Sequence, residues 1–181
     1  MIKTSNVIIF GAPGSGVSTL VKNLAEQLKW PIKHLVMDQS PPDSGDPKPI
    51  DKAEFFELVE LASSKTGLLI EGSPCLQDWD MQDIDGVIYV RTPRINRLQR
   101  LREREIRLQG PKILQEGLRE FKVFNRYMYW VSQFDQAGVD RQSKISHQSF
   151  LTKLKIPLLE VSGLLSEQEI VHNCLEWLEF R

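Results

Sequence analysis

The sequence predicts an α/β protein with a three-layer, doubly wound, five-stranded parallel sheet. Three observations lead to this fold class. Short runs that are apolar throughout alternate along the 181 residues with longer stretches whose apolar residues recur at helical spacing. Strands without apolar–polar alternation are typical of a parallel sheet that helices cover on both faces. Glycines and charged residues follow several of these runs, at the strand ends where such sheets bind ligands.

The first strand and helix flank a glycine-rich turn. Residues 7–10 are the first apolar run, residues 11–16 the turn, and residues 17–28 carry an apolar stripe at helical spacing. The turn matches the phosphate-binding pattern G-x-x-x-x-G-K-[ST] except at position 17, where valine replaces lysine. The glycines allow several N–H groups to point inward, with the helix dipole behind them. The residues predicted to bind nucleotide phosphates are Gly11, Pro13, Gly14, Ser15, Gly16, Val17, Ser18 and Thr19. The alternative is an ordinary strand-to-helix turn.

The next elements are read from apolar runs and their stop signals. Residues 34–37 are predicted to form the second strand, 39–50 a proline-rich loop, and 68–70 the third strand. Asp51, with Glu54 three residues on, predicts a capped helix between the loop at 39–50 and the third strand. Residues 86–90 are the predicted fourth strand.

The rest of the chain is predicted to be helical up to the last strand. Thr92 and Pro93 are suited to the start of a helix that ends near residue 108. Further helices are expected at about 112–136 and 142–154, the fifth strand at 157–161, and a final helix capped by Ser166 and Glu169. The region from about 92 to 155 is expected to be a lid-like helical insertion in a single domain spanning 1–181.

Seven arginines lie between positions 91 and 107. On a helix, Arg97, Arg100, Arg104 and Arg107 share an arc of about 80°. Because a guanidinium group binds two phosphate oxygens at once, Arg97, Arg100 and Arg104 are predicted to act catalytically above bound phosphates. The alternative is a solvated face whose charges pair with Glu103 and Glu105.

Two carboxylates directly follow predicted strands. Asp38 is predicted to orient an attacking hydroxyl, and Glu71 is predicted to hold magnesium together with the hydroxyl of Ser18. The alternative for both acids is a structural one, in which each caps the turn that follows its strand. The histidines are isolated and are interpreted as structural, and the two cysteines as buried thiols.

Composition limits the possible partners and location. Hydrophobic residues make up 41% and charged residues 26%, and the net charge of −1 argues against general binding to nucleic acid or membranes. No apolar run approaches the ~20 residues that span a bilayer, and the amino terminus lacks a secretory signature. A cytoplasmic protein is expected.

Several motifs, taken in order, resemble the adenylate kinase-like P-loop kinases. They are the glycine-rich turn opening a helix, Glu71-Gly72-Ser73-Pro74 after the third strand, and the arginine helix after the fourth. Residues 159–163 are similar to the family's adenine-contacting segment, which adds Gly163 to the predicted nucleotide-binding residues. The resemblance leaves out residues 110–150. It implies ATP and Mg²⁺ as ligands, with transfer of the terminal phosphoryl group to a small-molecule acceptor.

Three features depart from that family. Val17 replaces the lysine that bridges the phosphates, Glu71 replaces an aspartate, and the region between the second and third strands is short for a nucleoside-monophosphate site. Removing one charged donor at a developing anion costs ~3–4 kcal/mol, but the backbone amides remain. Two hypotheses follow: a kinase in which an arginine supplies the lost charge, or a nucleotide-binding regulatory protein without catalysis. An α/β binding module without a nucleotide is a third.

Overall fold

The sheet of the computed structural model, which describes residues 5–35, 66–75 and 81–180, has the predicted architecture. All neighbouring strands pair in parallel, in the order β2-β3-β1-β4-β5. The α/β fold with a five-stranded parallel sheet is therefore confirmed. The strands are β1 (Asn6–Gly11), β2 (Ile32–His34), β3 (Leu68–Glu71), β4 (Gly86–Arg91) and β5 (Leu158–Ser162).

Five α-helices lie in the described ranges: α1 (Val17–Leu28), α2 (Arg94–Gln109), α3 (Arg119–Ser132), α4 (Lys144–Lys153) and α5 (Glu167–Glu179). The predicted helix at 112–136 is divided into a short 3-10 helix, Pro111–Leu114, then α3, then a second 3-10 helix, Gln133–Asp135. Gly117, at a φ of 88°, separates the first two pieces. The predicted capping box of the last helix is present, with Ser166 and Glu169 bonded reciprocally.

Alternate residues of β1 serve the two faces of the sheet. Val7 and Ile9 join a core formed with α1 and α5, in which Leu24 and Cys174 have no exposed surface. On the opposite face, Ile8 and Phe10 contact residues of α4, such as Phe150. Helices thus cover both faces, as a doubly wound parallel sheet requires.

The second strand begins earlier than predicted. Pairing with β3 starts at Pro31, whose carbonyl accepts the Leu69 amide at 3.0 Å, and the strand ends at His34 instead of starting there. Pro31 lies three residues after the last residue of α1, and its carbonyl begins the parallel ladder. Asp38, the loop at 39–50 and the helix predicted from Asp51 lie outside the described residues.

The region between β4 and β5 contains α2, α3 and α4, while the bounds of about 92–155 for a lid-like insertion stay a prediction. The single-domain boundary at 1–181 stays a prediction. No helix in the three described ranges has the length and apolar character needed to cross a bilayer.

Candidate functional site

The glycine-rich turn joins β1 to α1 and leaves a set of backbone donors free of intrahelical partners. Gly14 and Gly16 have φ values of 79° and 101°, which favour glycine. Ser15 N–H donates to the Ala12 carbonyl at 3.0 Å, which closes the turn. Gly16 is the N-cap of α1 and no side chain caps it, so the first-turn amides from Gly16 to Thr19 are directed at the space beyond the helix.

The carbonyls of the turn are held from behind, on the side of α2. Thr92 Oγ1 donates to Ser15 O at 3.0 Å, and Arg97 Nη1 donates to Pro13 O at 3.1 Å. In a trans peptide the N–H points opposite to the C=O, and no cis bond occurs among the described residues. The amides of Gly14 and Gly16 therefore point away from α2. Thr92 was predicted to cap α2, but its hydroxyl donates to the turn instead. The helix α2 therefore begins at Arg94, after Pro93, without a side-chain cap.

Two glycines of the site are required for close backbone approach. A Cβ at Gly14 would lie 2.7 Å from Arg97 O. A Cβ at Gly163 would overlap Thr92 Oγ1 and lie 2.7 Å from Ser15 O. Gly163 follows β5 and its amide donates to Arg91 O at 2.9 Å. The structure thus brings Gly163, predicted to bind the nucleotide, against the back of the turn.

Ser18 and Glu71, the predicted magnesium ligands, are in contact. Ser18 Oγ donates to Glu71 Oε1 at 2.5 Å, and the other carboxylate oxygen lies 3.0 Å from Nδ1 of His34. Hydroxyl and carboxylate oxygens suit a hard cation such as Mg²⁺. Within the described ranges no group of three His, Cys, Asp or Glu side chains could hold a metal ion, so a magnesium ion held by Ser18 and Glu71 would need further oxygen ligands such as phosphate or water.

His34 is a site residue that the sequence analysis missed. It pairs in register with Glu71, because β2 ends there and not three residues later. The signal that was available is Pro31 directly before an apolar residue: a strand beginning at residue 32 puts His34 at the carboxyl end of the sheet.

The side chain of Val17 packs on the core and offers no group that could bind a phosphate. Its side chain is partly buried and packs against the apolar core between the sheet, α1 and α5. The position that carries lysine in the phosphate-binding pattern therefore contributes packing and no charge.

Arg97 differs from the sequence prediction. Its side chain is 1% exposed, and all three nitrogens are engaged: Nε donates to Thr92 O, Nη1 to Pro13 O, and Nη2 to both carboxylate oxygens of Asp135 at 2.9 and 2.7 Å. The guanidinium also lies 5.2 Å from the ring centre of Phe134. With these contacts, Arg97 supports the turn from behind and is not placed over bound phosphates.

Arg100 and Arg104 are both exposed, but they have different neighbours. Arg100 Nη2 donates to Gly163 O at 2.8 Å, and Nη1 lies 3.5 Å from Ser15 O and 3.8 Å from a Cβ built on Gly16. Arg104 instead donates to Glu105 and to Tyr127 Oη on α3, both at 2.7 Å. Arg100 is thus beside the turn. Arg104 is not beside the turn. Its contact with Glu105 agrees with the alternative interpretation, in which the arginines pair with neighbouring glutamates.

A buried polar group lies beneath the site on the α4 face. His147 is 1% exposed, its ring is 5.1 Å from that of Phe10 and 4.9 Å from that of Phe134, and Nε2 is 2.9 Å from Gln142 Oε1. Burial, with a smaller contribution from the Arg97 charge, lowers the pKa of His147 to about 4. Burial raises the pKa of the Cys75 thiol to about 12, so this thiol is not a nucleophile at neutral pH.

Comparison with known proteins identifies the fold. No family model matches the chain. The uncharacterized protein YqaC of Bacillus subtilis (strain 168) is 28% identical over 175 residues, which cover 96% of this chain and 97% of that protein. Deoxyadenosine kinase from M. mycoides with bound dATP superposes with a TM-score of 0.54 over 96% of this chain and 98% of that one, at 14% identity. A sugar kinase from Janibacter sp. HTCC2649, unliganded, gives a TM-score of 0.50 over 97% and 95%, also at 14% identity.

The chain has a kinase-like fold. Nucleotide and sugar kinases share its α/β architecture, and the resemblance extends along nearly the whole length of both chains. At 14% identity this likeness concerns the fold, and the ligands and chemistry must be argued from the residues of the site.

Proposed function

We propose that this chain binds Mg–ATP at the turn formed by residues 11–19 and transfers the terminal phosphoryl group to a small-molecule acceptor, as an adenylate kinase-like P-loop kinase with a degenerate phosphate-binding motif. The observation that carries the proposal is the contact between Ser18 Oγ and Glu71 Oε1 at 2.5 Å, at the mouth of an uncapped helix N-terminus. Anion donors and cation ligands are thus adjacent, which is the combination that a metal-bound triphosphate requires.

Each group of the site has a defined task in this proposal. The amides of residues 14 and 16–19 bind phosphate oxygens, while Ser18 and Glu71 hold the magnesium ion directly or through water. When bound, the ion supplies positive charge to the β- and γ-phosphate oxygens. Gly163 packs against the back of the turn and stays a predicted nucleotide-binding residue, and Asp38 keeps its predicted task of orienting the acceptor hydroxyl.

The transfer itself exchanges one bond to phosphorus for another. The acceptor oxygen bonds to the γ-phosphorus while the bond from that phosphorus to the β–γ bridging oxygen breaks, and ADP leaves. The hydroxyl proton passes to the carboxylate of Asp38. The residues around the turn contribute position and charge, which account for most of the catalysis in phosphoryl transfer.

Arg100 is the residue that replaces the missing lysine in this proposal. It is exposed, and its Nη1 lies within 3.8 Å of where a Cβ on Gly16 would be. Its present acceptors are backbone carbonyls, which it can exchange for phosphate oxygens, since charged acceptors bind guanidinium more strongly. This differs from Arg97, whose Nη2 bonds the Asp135 carboxylate while Nε and Nη1 bond the carbonyls of Thr92 and Pro13.

The experiment compares Mg-dependent ATP binding in matched variants. We expect ATP with Mg²⁺ to raise the melting temperature of the wild type more than ATP with EDTA does. Ser18→Ala and Glu71→Gln should abolish this magnesium-dependent difference, because each removes an oxygen ligand or its charge. Glu26→Gln, the same change at an exposed position on α1, is the control and should retain the difference. A wild type whose melting temperature ATP does not change would contradict the proposal.

A second candidate function is favoured by the packing of Val17. Because this side chain contacts the core and carries no charge, the chain is also suited to a nucleotide-binding regulatory protein without turnover. ATP consumption against a panel of hydroxylated and phosphorylated acceptors separates the two candidates. Binding without turnover across the panel favours the regulatory protein.

Restoring the charge at position 17 gives a direct prediction. If the chain is a kinase, Val17→Lys should raise kcat, by up to the hundreds-fold that one preorganised charge contributes. The steady-state rate with the best acceptor measures this. The control is Val17→Met, which lengthens the side chain without charge and should leave kcat unchanged or lower. A Val17→Lys rate that is no higher than that of the methionine variant counts against the kinase.

A further inference from the structure

We propose that Arg97 is a positioning residue that couples the phosphate-binding turn to the 3-10 helix Gln133–Asp135, so that the shape of the turn depends on Asp135. The two segments are far apart in the sequence. One guanidinium group joins them, because it bonds Pro13 O on one side and the Asp135 carboxylate on the other. Only the ATP-binding part of this inference rests on the proposed function.

The Arg97 side chain is buried. At 1% exposure, it is among the largest fully buried side chains of the described residues. A buried cation is tolerated only when charged and hydrogen-bonding partners surround it. Asp135 supplies the negative charge, with both oxygens within 2.9 Å of Nη2, and Phe134 supplies a ring face. The orientation of the guanidinium is therefore set by the 3-10 helix.

The orientation of the guanidinium fixes the direction of two peptide groups in the turn. Nη1 draws the Pro13 carbonyl toward α2, and in a trans peptide this turns the Gly14 N–H the opposite way, toward the candidate anion site. Nε donates to Thr92 O at 3.1 Å, and the Thr92 hydroxyl in turn donates to Ser15 O. One side chain thus fixes, directly and through Thr92, two peptide planes of the turn.

Arg94 provides a matched control for Arg97. Arg94 also approaches Asp135, with Nε 3.6 Å from Oδ2, but its side chain is half exposed. Arg97 and Arg94 therefore share one carboxylate, and only Arg97 has a hydrogen bond to the turn in the described structure. A change at Arg94 alters the charge around Asp135 without removing the bond to Pro13 O.

Hydrogen exchange on the ligand-free full-length chain tests the coupling. In Asp135→Asn the carboxylate charge is lost with little change in shape, and we expect the Ser15 amide, bonded to Ala12 O, to exchange at least tenfold faster. The Val21 amide in α1 is the internal reference for a general loss of stability. Arg94→Met should leave the ratio of Ser15 to Val21 exchange unchanged. If Asp135→Asn accelerates Ser15 no more than Val21, the coupling is absent.

ATP binding gives a second readout that keeps the two proposals distinguishable. We expect Asp135→Asn and Arg97→Met to weaken ATP binding at least tenfold, and Arg94→Met to change it less than twofold. If Asp135→Asn and Arg97→Met both bind ATP within twofold of the wild-type affinity, the inference is overturned. If the wild type itself does not bind ATP, the proposed function fails, while the exchange comparison still decides the coupling.

A measurement on the wild type alone covers the case in which Asp135→Asn does not fold. The amides of Gln136 and Ala137 both bond to Gln133 O at 2.9 Å, directly after Asp135. Saturating Mg–ATP should slow their exchange, because an ordered turn holds Arg97 and hence the 3-10 helix. If ATP protects the amides of residues 16–19 and leaves 136 and 137 unchanged, the coupling is refuted.

Discussion

The two halves of α2 use the same residue type in opposite ways. In the amino-terminal half, Arg97 is buried and Arg100 contacts Gly163 O, so both belong to the surroundings of the glycine-rich turn. In the carboxyl-terminal half, Arg104 is 44% exposed in its side chain and contacts Glu105 and Tyr127. The comparison teaches that a run of arginines on one helix arc is not one functional surface. The element packed against each turn of the helix decides what each side chain does.

The largest expected difference between the two halves is in stability. Asp135→Ala leaves the buried Arg97 cation without its carboxylate, which should lower the free energy of unfolding by about 3–5 kcal/mol. Glu105→Ala removes the partner of the exposed Arg104 and should cost at most about 1 kcal/mol. Urea denaturation of both variants measures the two changes. If both variants lose the same free energy of unfolding, the burial of Arg97 does not make its ion pair more important for stability than that of Arg104.

The next largest expected effect is a loss of folding stability in acid, caused by His147, which lies near Arg97 in the amino-terminal half of α2. Burial lowers the pKa of His147 to about 4 in the folded chain, below the ordinary histidine value of 6.5, so the unfolded state binds the proton first. Stability is therefore full above pH 6.5 and falls by about 3 kcal/mol as the pH drops toward 4. Unfolding free energies at pH 7, 5.5 and 4 test this.

Two variants sharpen the acid-sensitivity prediction. His147→Phe keeps an aromatic ring among Phe10 and Phe134 and should flatten the pH dependence, because it cannot take up a proton. His172→Gln, at an exposed position, should keep it. Arg97→Met should raise the pKa of His147 toward its ordinary value, since the Arg97 charge contributes to lowering it. A His147→Phe variant as acid-sensitive as the wild type would assign the effect to other groups.

The smallest expected effect separates the two exposed arginines. Arg100→Ala should weaken ATP binding about tenfold, or about 1.4 kcal/mol, because a charge-assisted contact beside the turn is lost. Arg104→Ala should change the affinity less than twofold, since its contacts are with Glu105 and α3. Isothermal titration with Mg–ATP compares them. If the Arg104 variant is the weaker binder, the assignment of the two halves is reversed.

The elements that depend on local chemistry were predictable from the sequence. The strands β1, β3 and β4 follow short apolar runs, the turn has its own glycine spacing, and Ser166 with Glu169 forms a capping box within one helical turn. The start of β2 was misplaced because an apolar run gives no register, and the Pro31 carbonyl that begins the ladder is seen only with β3 in place.

The surroundings of the turn were less predictable, because they depend on contacts between distant segments. Arg97 bonds Pro13, 84 positions earlier, and Thr92 bonds Ser15, 77 positions earlier. Helical periodicity gives the arc on which Arg97 and Arg104 lie but not which neighbour covers each. Burial of Arg97 follows from Asp135 and Phe134, whose 3-10 helix was expected to be the end of a longer helix.

Val17 packs on the core while the groups directed outward at the turn are peptide N–H groups. Every residue other than proline carries such a group, so a change of the Val17 side chain leaves these donors in place. Substitutions at position 17 over generations can therefore alter the charge beside this turn without removing its anion donors.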